Sequence, residues 1–109
     1  MADQASETPV LDLLANMTAA SIEATTLDSQ TLMLVRIAAL VATDAPPASY
    51  LMNLGAATDL GIGAEEVQGV LAGVAPIVGT PKVVAAAGNI VRALGLALDL
   101  EELEAEEES

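Results

Sequence analysis

Arg36 sits where a charge is hard to keep. It is the one charged residue between Ser29 and Thr43, and its helical neighbours three and four positions away are Leu32, Met33, Ala39 and Leu40. None is acidic, so its own helix offers no counter-charge. A buried guanidinium without a partner is too costly to retain. Arg36 must therefore reach another element, reach another subunit, or face a wet cavity. Lys82 and Arg92 are the only other cations, Tyr50 is the only aromatic residue, and Cys and His are absent. Without cysteine there is no thiolate chemistry and no disulfide. Without histidine, and with no acid inside the apolar run, a proton-shuttling site is hard to build. Metal binding has little to work with: the C-terminal glutamates would hold hard cations weakly at best, and a solvated tail is the plainer reading of them.

The elements that must position these groups are apolar and mostly aliphatic. The chain has 109 residues, one domain's worth, of which 53% are hydrophobic, with no Phe or Trp. Mean hydropathy is +0.56. Small side chains bury little area each, so helices must approach closely or a further subunit must add area. The excess apolar character points to a subunit interface. A membrane span is not expected: Arg36, the Pro76–Pro81–Lys82 region and Arg92 interrupt every run approaching the roughly 20 residues required. No signal peptide is visible in Ala2 to Pro9, so a cytoplasmic location is the default expectation. The net charge of −13 argues against nucleic acid and against anionic membrane surfaces. Much of that charge is concentrated in Asp99–Glu108.

Periodicity and punctuation predict an all-α chain. Residues 1–8 are polar and expected to be disordered. Thr8-Pro9 is a helix start, and Val10, Leu13, Leu14 and Met17 form the apolar stripe of a helix over about 9–24. Asp28 caps a second helix through Thr43, apolar nearly all round and hence central. Asp44 is expected to cap a third, entered through Pro46-Pro47 and closed by Gly61. Gly63, Glu65 and Glu66 open a fourth, with Ile62 stapled to Val67. Gly69 and Gly73 on it predict close helix packing, as does Ala85–Gly88 on a fifth helix from Pro81 to Leu98. Residues 9–98 form the helical domain; 99–109 are an acidic tail or short exposed helix.

Leu27, Asp28, Thr31, Leu34, Val35 and Ala38 follow a spacing that resembles the carboxymuconolactone decarboxylase family, which includes the alkyl hydroperoxidase D-like proteins. Gly61-Ile62-Gly63-Ala64-Glu65-Glu66-Val67 and Gly79-Thr80-Pro81 extend the resemblance, which covers roughly Leu27 to Leu94. It implies a compact bundle of five to six helices assembled as a homo-oligomer, a trimer or hexamer. In thiol-active relatives a glutamate, two cysteines and a histidine form a redox relay. Here those positions are Met33, Ala45, Ala48 and Met52. The resemblance thus implies a degenerate redox site, and thiol peroxidase activity by that mechanism is excluded for want of a thiolate.

The decarboxylase branch needs no thiol, and its carboxylated substrate implies a cationic anchor. Arg36 is the candidate, with Tyr50 and Asn53 placed to orient a carbonyl. Each has a plainer reading. Arg36 would be a salt bridge between helices or subunits, Tyr50 a core plug with its hydroxyl on the backbone, and Asn53 a buried hydrogen-bonding residue. Lys82 would be solvated and Arg92 paired with Asp99. The four replaced positions either collapsed into core or became an apolar cavity lined by adaptable methionines. Such a cavity beside Arg36 would suit a small amphipathic acid or phenol. Three functions follow: a redox-inactive scaffold or ligand binder, which is preferred; a cofactor-free decarboxylase or lyase anchored by Arg36; or an adaptor using its acidic tail. None requires a cofactor.

Overall fold

The computed structural model describes residues 7–108, with side chains described through 96 and at 102, 103, 105 and 106. The expected disorder at the N-terminus therefore falls largely outside the described residues. Five helices follow one another: α1 (Pro9–Ala24), α2 (Ser29–Ala42), α3 (Pro47–Asp59), α4 (Ala64–Val78) and α5 (Thr80–Glu108). The all-α expectation holds, with five helices and no strand among the described residues.

Helix ends follow from side-chain and backbone chemistry. Asp28 caps α2 by accepting a 2.8 Å hydrogen bond from the Thr31 N–H, which satisfies one of the donors a helix start leaves open. Glu66 reaches back to accept from the Gly63 N–H at 2.9 Å, closing the start of α4. Gly61, at φ +82, ends α3. Its N–H donates to Thr58 and that of Ile62 to Ala57, both at 3.0 Å, the paired closure of a left-handed helix terminus.

Asp44 departs from expectation. It does not cap α3, whose N-cap is Pro46. It is the left-handed residue that ends α2, at φ +54, with the Ala45 N–H donating back to Leu40 at 3.0 Å. Aspartate tolerates that conformation better than bulkier residues, so one acid fitted both roles on paper. The fifth helix also differs, running unbroken past Leu98 to Glu108, because nothing between Leu98 and Glu108 is a glycine or proline.

α2 is the central helix, as its composition predicts. It packs against α3, α4 and α5 and buries Met33, Ile37 and Val41 on one face. Tyr50 and Ala57 of α3, Ile62, Val67 of α4, and Ala86, Ile90 and Ala93 of α5 complete the core. Gly69 and Gly73 do not mediate close packing within the chain: nothing lies within 4 Å of where a Cβ would stand on either. Both face outward instead. Gln30 ties the start of α2 to the end of α3, its Nε2 donating to the Leu60 carbonyl at 2.8 Å.

α1 is attached loosely. None of its residues is buried, and it meets α2 through the Arg36–Ser21 hydrogen bond at 3.1 Å. The Cα radius of gyration of 16.0 Å exceeds the roughly 13 Å of a compact chain of this size; the 29-residue α5 and the loosely attached α1 both extend the molecule.

Candidate functional site

Arg36 projects from the edge of α2's buried face, on the Met33 side of it, toward the gap between α1 and α3. There it lines a cavity of about 320 Å³ together with Ser29, Leu32 and Met33 of α2, Thr18 and Ile22 of α1, and Met52, Asn53, Ala56 and Leu60 on the α3 side. The helical period explains the α3 contribution. Met52, Asn53, Ala56 and Leu60 fall on one side of that helix at 100° per residue, and Leu54 and Ala57 turn away. Ligand pockets begin at about this volume.

Within the cavity Arg36 is half-buried, and its Nη2 donates to Ser21 Oγ of α1 at 3.1 Å. No carboxylate pairs with it among the described residues, where the one ion pair is Lys82–Asp44 at 3.9 Å. Among the described residues of the chain, Arg36 thus meets a neutral hydroxyl rather than a carboxylate. Asn53 is half-buried and spends one N–H on the Ser49 carbonyl at 2.8 Å. The remaining walls are aliphatic or thioether. One cation, three short polar side chains and apolar walls can hold an anion by its charged end and shelter its apolar part. They contain no imidazole or carboxylate that could exchange protons.

The residues singled out in the sequence divide into two sets. Met33, Met52, Arg36 and Asn53 meet at this cavity. Ala45, Ala48 and Tyr50 lie outside its lining. Ala45 is buried and its carbonyl accepts from Asn89 Nδ2 at 3.2 Å; Ala48 is exposed. Tyr50 is fully buried as expected of a plug, yet its hydroxyl has no hydrogen-bond partner among the described residues. Burial pushes its pKa up, and the Asp44 charge adds to the rise.

The other two cations are structural. Lys82 is not simply solvated: its Nζ donates to the Ala42 carbonyl at 2.9 Å, tying α5 to the end of α2. Arg92 donates to Asn89 Oδ1 at 3.0 Å, one turn back on α5; the side chain of Asp99 lies outside those described. Thr18, Ser21 and Ile22 were not legible as site residues: Ser21 continues the Val10–Leu14–Met17 line of α1, and nothing in that spacing shows that it meets Arg36. Ser21 and Thr18, three apart on one helix edge, were the available signal.

A second concavity of about 340 Å³ lies between α3, α4 and α5, walled by aliphatic residues such as Leu54, Leu71, Ile90 and Leu94. It holds no charged side chain, and Thr58 and Gln68 are the polar side chains in its lining. Among the described residues, no helix is long and apolar enough to cross a membrane, and no group of three or more acidic residues is placed to hold a metal.

The sequence profile of the carboxymuconolactone decarboxylase family matches residues 8–91. No curated protein and no solved structure matches the chain significantly.

Proposed function

We propose, for a chain that belongs to the carboxymuconolactone decarboxylase family, a redox-inactive protein that assembles with copies of itself and binds a small amphipathic acid or phenol. The observation that carries this reading is Arg36 on the wall of a largely apolar cavity, with no carboxylate paired to it. Its charge is then available to a ligand's anionic end, while Met33, Met52 and Leu32 accommodate an apolar body. Redox inactivity is supported by composition: the chain has no cysteine to form a thiolate. The helical unit of residues 9–98 carries the site, and the acidic segment of 99–109 is a solubilising appendage.

The same unpaired Arg36 also favours a second reading, a cofactor-free decarboxylase or lyase that uses it as an anion anchor. The lining supports binding over turnover, because it holds no imidazole or carboxylate to act as general acid or base. Calorimetric titration with benzoate and with hexanoate tests both. Saturable binding is expected, weakened tenfold or more in Arg36→Gln, as befits loss of a charge-assisted contact of about 1.5–3 kcal/mol. Equal binding by the variant would overturn the site assignment. Release of carbon dioxide from a carboxylated lactone would move the conclusion to the second reading.

A further inference from the structure

Oxidation has few places to start in this chain. It has four methionines and one tyrosine, and no cysteine, tryptophan or histidine. Tyr50 is fully buried. No thiol competes for an oxidant, so the thioethers are the side chains that a hydroperoxide attacks first. Their surroundings differ. Met33 and Met52 both line the Arg36 cavity, yet Met33 is 5% exposed and Met52 is 76% exposed. Met17, 57% exposed on α1, lies outside that lining. A singly exposed apolar side chain is ordinary. What sets Met52 apart is the group with which it shares its cavity, a guanidinium that no carboxylate of the described residues neutralises.

We infer that Met52 is an oxidative modification site whose product closes the Arg36 cavity to anions. The reagent is a hydroperoxide. A sulfur lone pair attacks the terminal peroxide oxygen, and the S–O bond forms as the O–O bond breaks. The proton on the transferred oxygen passes to the departing oxygen, which leaves as water or an alcohol. Sulfur is oxidised by two electrons and the peroxide is reduced by two, so the step balances with no further reagent. The flexible apolar side chain becomes a polar one. Its new oxygen is a full hydrogen-bond acceptor, where the thioether sulfur was a weak one.

Arg36 has donors to meet that oxygen. One N–H of Nη2 goes to Ser21 Oγ at 3.1 Å, and a guanidinium carries several others. The sulfoxide and an anionic ligand then compete for the same charge, and the ligand also loses an apolar wall. Met33 belongs to the buried core, so its sulfur is shielded from the same reagent. The cavity thus pairs one sensitive thioether with one protected one. The consequence for binding rests on the ligand reading above; the place of oxidation and the contact with Arg36 do not.

The test treats the full chain with hydrogen peroxide and follows each methionine by peptide mass mapping. Met52 is expected to oxidise several-fold faster than Met33; equal rates would overturn the assignment. Wild type and Arg36→Gln, each carrying Met17→Leu, are then melted before and after treatment. Oxidation is expected to lower the melting temperature more in the Arg36→Gln chain, where the sulfoxide has lost its donor. Equal losses would overturn the contact. Neither readout uses a ligand, so both stand or fall apart from the benzoate titration, and they decide the matter if benzoate does not bind at all. If the reduced wild type binds benzoate, the sulfoxide form is expected to bind it about tenfold more weakly, with affinity restored by methionine sulfoxide reductases. Met17→Leu should respond as the wild type does, whereas Met52→Leu should keep its own affinity through the same treatment. Unchanged affinity in the oxidised wild type, or an equal loss in Met52→Leu, would overturn the closure.

Discussion

In the α2–α5 body, Met33, Ile37 and Val41 repeat along one face of α2 and are covered by three other helices. In α1, Val10, Leu13, Leu14 and Met17 repeat as regularly and are covered by nothing in the chain. The two helices are similar in length and apolar content; α1 is if anything better provided with large aliphatic groups on its stripe. What separates them is connectivity. α2 is joined to its neighbours by a short, doubly bonded left-handed turn at Asp44 and by the Gln30–Leu60 contact, which fold α3 back upon it. The link from α1 to α2 carries the Thr25 N–H to Ser21 carbonyl bond that closes α1, an exposed contact from the Leu27 N–H to Thr25 Oγ1, both at 3.1 Å, and the Ser21–Arg36 bond. An amphipathic pattern states that a helix needs a partner; the loops decide whether that partner is in the same chain.

The comparison is broken most forcefully in the core. Ile37→Ala should cost about 2–5 kcal/mol, because a fully buried side chain leaves a cavity that close-packed neighbours only partly fill. Leu13→Ala, measured at dilutions where copies are apart, should cost less than about 0.5 kcal/mol. Urea unfolding followed by circular dichroism gives both values, and comparable losses would mean that α1 packs on its own body. A smaller effect of opposite sign is expected at Tyr50. Its buried hydroxyl lacks a partner among the described residues, so Tyr50→Phe should stabilise the chain by about 1 kcal/mol without altering benzoate binding. Because the folded-state pKa of Tyr50 is raised, its contribution is intact below the ordinary value of 10.0 and is lost as pH rises beyond it. The phenylalanine variant should lose less stability on going above pH 10.

The smallest effect concerns the cap of α2. The Thr31 backbone N–H, and then its side chain, hold the Asp28 carboxylate below its ordinary value of 3.8. A depressed acid stabilises the fold above that value and ceases to do so as pH falls through the folded-state pKa. Asp28→Asn should therefore show a shallower fall in melting temperature below pH 4 than the wild type. A parallel fall in the two proteins would remove the cap from the account of acid stability.

Most of the architecture could be read from particular residues. Pro9, Asp28, Pro47, Gly61 and Gly63 fixed where helices begin or end, because each changes the local supply of backbone donors or the accessible φ. Of the residues singled out from spacing and resemblance, Met33, Arg36, Met52 and Asn53 line one cavity, whereas Ala45, Ala48 and Tyr50 lie outside its lining. What escaped was tertiary. Asp44 could serve a helix start or a left-handed helix end, and only the chain direction after Thr43 distinguishes the two. Gly69 and Gly73 looked like close-packing sites, but small residues permit an approach without requiring one. The trough between α3, α4 and α5 draws its walls from three helices, and no local pattern announces that kind of surface.

Tyr50 turns the division between body and arm into an optical one. It is the sole aromatic residue of the chain and lies at the centre of the body, while α1 contains no chromophore absorbing near 280 nm. Near-ultraviolet dichroism and tyrosine emission therefore watch the body alone, whereas the amide bands below 240 nm watch every helix. A titration or dilution that changes the amide signal while leaving the tyrosine signal still would report α1 folding or fraying on an intact core, with no label added.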